Sequence, residues 1–131
     1  MMAKTIWVIA HLGWHANDLA RLGRMFDSLP NLYSEVGAIL YDLGRQPRAA
    51  REFMIKYQDR LIFGKDSFQP DEYPYYWRVF ETNDEYFDYY RNYHAFWKMY
   101  GMGLPDEVLK KVYYKNAIRV FKGMPTTGWP Q

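Results

Sequence analysis

The chain of 131 residues carries 17 Lys and Arg against 15 Asp and Glu, a formal charge of +2, so it has room for one domain and no strongly charged surface. Basic residues interleave with acidic ones apart from Lys110, Lys111, Lys115, Arg119 and Lys122, which argues against the basic stripe of a nucleic-acid binder. The lack of cysteine excludes disulfide frameworks, thiol nucleophiles and thiolate zinc sites and fits a cytoplasmic protein, and the longest apolar run, Ile6 to Ala10, is too short for a membrane span.

Thr5 to His11 predicts a strand with apolar residues on both faces, hence a parallel strand covered on both sides. After a turn through Leu12-Gly13-Trp14-His15, Asn17 or Asp18 is placed to cap a helix that carries Leu19, Leu22, Met25, Phe26 and Leu29, and Pro30 ends it. Asn31 to Val36 reads as the second strand, followed by Gly37. Ala38 to Leu43 reads as helix, interrupted at Gly44-Arg45-Gln46, and Pro47 suits the first turn of a further piece through Ala50, Phe53, Met54 and Tyr57. Arg60 to Phe63 is the third strand, closed by Gly64 and a polar loop.

Beyond a loop from Ser67 to Pro74, 13 of the chain's 26 aromatic residues fall between Tyr73 and Tyr100. Thr82 or Asn83 is placed to cap a helix bearing Tyr86, Phe87, Tyr90, Tyr93 and Phe96. Six acids between Asp71 and Asp88 argue against a stacking surface for nucleic acid and favour core or subunit packing, with His94 structural. Leu104-Pro105-Asp106-Glu107 opens a last helix whose buried face is Val108, Leu109, Val112 and Tyr113; it runs on through Ala117, Val120 and Phe121 to Gly123. The domain is thus expected over residues 1–123, with an irregular tail over 124–131.

Strands alternating with helices call for parallel pairing and right-handed crossovers. Three strands leave two open sheet edges, which predicts a homo-oligomer that covers them. In such folds ligands sit beyond the carboxyl ends of the strands, and there the sequence places His11, Glu35 and Asp66, groups able to bind a metal or move protons. Each also has an ordinary structural use, His11 as a hydrogen-bonded strand end and Asp66 as a turn former. A phosphate-binding glycine loop and a serine nucleophile elbow are absent.

Several segments together resemble a known family: AHLG at Ala10 to Gly13, PNLY at Pro30 to Tyr33, GRQP at Gly44 to Pro47, DRLIFGKDS at Asp59 to Ser67 and LPDEVLKKVYYKNAIRVF at Leu104 to Phe121. In this order and spacing they are similar to the C-terminal half of the amidohydrolase family of TIM-barrel metal-dependent hydrolases, in the branch related to aminocarboxymuconate semialdehyde decarboxylase. The resemblance implies half of a (β/α)8 barrel, with these strands as its sixth, seventh and eighth and extra C-terminal helices. It implies that Asp66 binds a divalent metal of the zinc type or takes the proton of the metal-bound water. It implies that His11 polarises or orients a small-molecule substrate. Glu35, to which the family gives no fixed role, Lys65 and His15 are candidates to line the substrate pocket.

Two departures go with it: Lys65 stands where the family usually has Thr, beside the metal aspartate, and the first-strand His-x-His pair and the fifth-strand ligand have no counterpart. A zinc site needs at least three protein ligands, for which the chain offers His11, His15, Asp66 and Glu35. The resemblance therefore implies a metal-dependent hydrolase, and the alternatives are an inactive truncated relative that folds and oligomerises, or a small-molecule binding module.

Overall fold

Three strands, β1 (Trp7–Ile9), β2 (Leu32–Glu35) and β3 (Leu61–Ile62), pair in parallel in the order β1-β2-β3 in the computed structural model, which describes residues 5–131. The first four residues of the expected 1–123 domain lie outside the described residues. Trp7 stands opposite Leu32 and Ile9 opposite Ser34, while Ser34 stands opposite Leu61, so the strands end at a common level. Helices separate them: α1 (Leu19–Ser28) links β1 to β2, and α2 (Leu40–Leu43) and α3 (Pro47–Lys56) link β2 to β3. This is half of an α/β barrel with further helices at the C-terminal end.

The helix ends follow local chemistry. Asp18 caps α1 by accepting from the Arg21 amide at 3.0 Å, and Pro47 occupies the first turn of α3, where a missing N–H costs nothing. Leu22 and Phe26 of α1 pack with Ala50, Phe53 and Met54 of α3 in a core that continues to Tyr76, Val79 and Phe80 of α4 (Tyr73–Glu81). No helix among the described residues is long and apolar enough to cross a membrane.

Three expectations are corrected. β1 is not covered on both sides: it is an edge strand, Trp7 is 64% exposed, and Ile6 and Val8 are also exposed. The sheet does not have two bare edges either. The last helical stretch, α5 (Asp106–Lys110), a π turn (Lys111–Lys115) and α6 (Asn116–Val120), lies along β3. There the Phe63 amide donates to the Val112 carbonyl at 2.7 Å, and the buried Asn116 side chain donates to the Leu61 and Gln58 carbonyls at 2.8 and 2.6 Å. Polar groups at the rim of β3 are thereby satisfied by the helix instead of a strand.

The third correction concerns the aromatic segment. Helix occupies 73–81, and residues 82–104 form an excursion without helix in which Phe87 and Met99 exchange backbone hydrogen bonds at 3.1 and 2.7 Å. Exposure alternates from Tyr86 to Tyr89, with Phe87 and Tyr89 buried, which is the two-residue period of extended chain and not the three-to-four-residue period of a helix. The tail, 124–131, has no regular element and folds back so that Trp129 stacks on Tyr114 with ring centres 5.2 Å apart.

Candidate functional site

At the carboxyl ends of the strands the backbone is drawn tightly together. Gly37, just past β2, lies so near the exit of β3 that a side-chain Cβ there would sit 2.6 Å from the Gly64 carbonyl oxygen. Beyond β1 the chain enters a left-handed turn, with positive φ at His11, Leu12, Gly13 and Trp14 (54°, 53°, 60° and 59°). Non-glycine residues in that region are strained, and such turns persist where their surroundings over-determine them.

The surroundings here are the last two residues of β2. The fully buried Ser34 accepts from the Leu12 amide at 2.9 Å and donates to the Ile9 carbonyl at 2.9 Å. Glu35 accepts from the His11 amide with one carboxylate oxygen and from the Gly37 amide at 2.5 Å with the other. The same carboxylate faces the His11 ring, whose Nδ1 lies 2.5 Å from Glu35 Oε1. The approach is an electrostatic contact without hydrogen-bond alignment, so among the described residues the buried Nδ1 has no hydrogen-bond partner. His11 Nε2 is 3.8 Å from Asp66 Oδ2, beyond the end of β3.

His11, Glu35 and Asp66 therefore converge, as their positions at the strand ends predict. They line an open groove of about 470 Å³ whose apolar sides are Val8, Ile62 and Phe121. Asp66 is 72% exposed at its mouth, whereas the His11 and Glu35 side chains are largely enclosed. The groove can hold a small polar molecule against an imidazole and a carboxylate, groups suited to proton transfer at the substrate.

Lys65 lines the same groove, and its ammonium is paired with Glu72. The Lys65 side chain is only 5% exposed, and Glu72 also receives Arg91 at 2.7 Å and the Tyr90 hydroxyl at 3.3 Å. Burial works to raise the Glu72 pKa, but the Lys65 and Arg91 hydrogen bonds and charges outweigh it and hold the carboxyl below its ordinary value. Lys65, the neighbour of Asp66 in sequence, thus spends its charge on a residue seven positions along the chain.

His15 ends the left-handed turn, its amide donating to the Leu12 carbonyl at 3.0 Å, and among the described residues its ring makes no ion pair or hydrogen bond with His11, Glu35 or Asp66. Ser34 and Glu72 are the site residues that sequence reasoning missed. Ser34 carries no signal, since a serine between Tyr33 and Glu35 in a strand looks like a solvated position. Glu72 had a faint one, an acid just ahead of an aromatic helix, seven residues from an unusual Lys65.

The donor set does not fit the divalent metal that the resemblance implies. Among the described residues no three His, Asp or Glu side chains gather where one ion could take them all. Glu35 aims its oxygens at backbone amides and the His11 ring, and His15 is not brought in. A metal of the kind the family usually binds would require further ligands.

No curated protein and no solved structure matches the chain. A family model described as Amidohydrolase matches residues 2–123, nearly the whole chain, and the half-barrel with its polar strand ends agrees with that match, so the chain belongs to the amidohydrolase family.

Proposed function

We propose that this chain supplies the His11–Asp66 part of a hydrolase site for a small organic substrate. The observation that carries the reading is the approach of His11 Nε2 to within 3.8 Å of Asp66 Oδ2 across a groove open to solvent at the strand ends. Asp66, exposed and with no lysine or arginine within ion-pair distance among the described residues, takes the proton of the attacking water. His11, with Glu35 behind Nδ1, presents Nε2 to a polarised oxygen of the substrate and orients it. Glu35 acts on substrate through His11, and Lys65 shapes the groove wall while its charge belongs to Glu72.

The metal-activated water of the family's chemistry calls for more donors than the described residues bring together, and a second chain joined at the open β1 edge is one source of them. The test is a hydrolase screen of small esters, amides and lactones run on the wild-type chain, Asp66→Asn and His11→Asn, with native mass spectrometry reporting bound metal and subunit count. Loss of roughly 10²–10⁴-fold in either variant is expected for an acid or base at the reacting centre. Activity that survives both substitutions unaltered would remove the assignment.

A second reading, a non-catalytic family member that folds and associates, is favoured by the incomplete donor set together with the exposed apolar residues on β1. A metal-free oligomer without activity in the screen is its expected signature.

A further inference from the structure

Helix α3 opens with Arg48 and Arg51, three residues apart and so on one side of the helix. That end of a helix favours acids, yet its first turn contains none. Arg45, Arg78, Arg91 and Arg119 each pair with a carboxylate, but no described carboxylate lies within ion-pair distance of Arg48 or Arg51. Among the described residues Arg51 makes one long hydrogen bond, 3.3 Å to the Gly103 carbonyl, and Arg48 makes none. Neither local helix chemistry nor an internal salt bridge accounts for the pair.

Both arginines line a cavity of about 370 Å³ whose other wall is Asn83, Glu85, Tyr100 and the backbone from Gly101 to Gly103. That wall is built from fixed backbone. The Gly101 amide donates to the Asp84 carbonyl at 2.8 Å, the Met102 amide to Val79 at 2.7 Å and the Gly103 amide to Thr82 at 2.9 Å. Gly101 also sits so close to Thr82 that a Cβ would collide with its carbonyl. The hollow is therefore preformed by hydrogen bonds and does not need a ligand to order it. Its walls carry two guanidinium groups against one carboxylate, Glu85, and it shares no residue with the groove at His11 and Asp66.

We propose that this cavity is a second binding site, for a small organic oxyanion whose phosphate or carboxylate is gripped by Arg48 and Arg51. Guanidinium groups match both oxyanions through paired N–H donors. Asn83 and Tyr100 are placed to hydrogen-bond the body of the ligand, and Glu85 to accept from a hydroxyl or amine on it. The site is independent of the hydrolase reading: it uses different residues and a different element.

The test is isothermal titration of the intact chain with inorganic phosphate in one arm and succinate in the other, together with amide NMR shifts. Saturable binding of at least one probe is expected, with shifts concentrated at Gly101 to Gly103, and the arm that saturates names the oxyanion. Arg48→Gln and Arg51→Gln are each expected to weaken it by roughly tenfold or more, the scale of one charged hydrogen bond, whereas Asp66→Asn leaves it unchanged. Arg51 also braces the Gly103 carbonyl, so the exposed Arg48 provides the variant whose folding is not at stake. Failure of both probes to saturate, binding that survives both arginine substitutions, or binding abolished by Asp66→Asn would each overturn the proposal.

Discussion

A left-handed stretch at four successive residues, three of them not glycine, is an expensive way to leave a strand. Each non-glycine residue there costs roughly 1–2 kcal/mol against the right-handed alternative. What offsets it is Ser34, whose hydroxyl joins the Leu12 amide to the Ile9 carbonyl inside a fully buried pocket, and Glu35, which holds the His11 amide. Ser34→Ala keeps the size of the residue but leaves the Leu12 amide without a partner. The expected loss is about 1–3 kcal/mol of stability, the cost of an unsatisfied buried donor, measured as a lower urea midpoint, together with a changed NMR environment for the His11 ring. An unchanged midpoint would mean that the turn is not held by this hydroxyl. His11 and Asp66 were legible in the sequence because each follows an apolar strand, where parallel folds put their chemistry. Ser34 was not, because its burial depends on a turn belonging to another strand.

Helices α1, α3 and the start of α5 were legible because each carries its own signals: the Asp18 cap, Pro47 in the first turn, and the Pro105-Asp106-Glu107 opening. The aromatic excursion was misread for a physical reason. Spacings of three and four among Tyr86, Phe87, Tyr90 and Tyr93 fit a helix, but with aromatics this dense an extended chain can meet the core equally well, and Phe96 ends 95% exposed. What ties the excursion to the strand ends is electrostatic. Glu72, just before α4, holds Lys65 from the exit of β3 on one side and Arg91 from the excursion on the other.

Because the folded-state pKa of Glu72 is depressed below its ordinary 4.5, its contribution to stability is fully present above that value and is lost as pH falls through the folded-state pKa. The thermal midpoint is therefore expected to fall on acidification from about pH 5 to about pH 3, and Glu72→Gln to remove part of that dependence. At neutral pH Glu72→Gln leaves the enclosed Lys65 ammonium without its counter-charge, and on the order of 3–5 kcal/mol is expected to be lost in denaturant titration. A variant with the wild-type acid profile would show that Glu72 is not the titrating link.

At the scale of the whole molecule the question is which edge of the half-barrel remains open. The count of strands foretold two, but only the structure shows that a π turn and Asn116 close the side of β3, since a helix lying along a strand rim leaves no mark in strand periodicity. The side of β1 is different. Trp7 and Val8 are exposed on opposite faces of an edge strand that pairs with β2 on one side only among the described residues, and Trp14 and Leu29 add to the bare apolar surface around it. An edge with free backbone groups and apolar side chains is a template for pairing, and proteins that stay monomeric blunt such edges with charge, proline or a bulge, none of which occurs from Trp7 to Ile9.

We propose that a second copy of the chain covers it, β1 against β1, because a two-fold axis lets one surface serve both partners. Val8→Lys puts a charge at the centre of that strand without touching the buried core, so the variant is expected to fold with the wild-type circular dichroism spectrum while its sedimentation shifts from dimer to monomer. A wild-type chain that sediments as a monomer, or a Val8→Lys chain that stays dimeric, would place the association elsewhere or nowhere. The outcome bears on chemistry as well as assembly. Val8 also lines the groove that holds His11 and Asp66, so a partner seated on β1 would stand beside the site whose donor set the described residues leave incomplete.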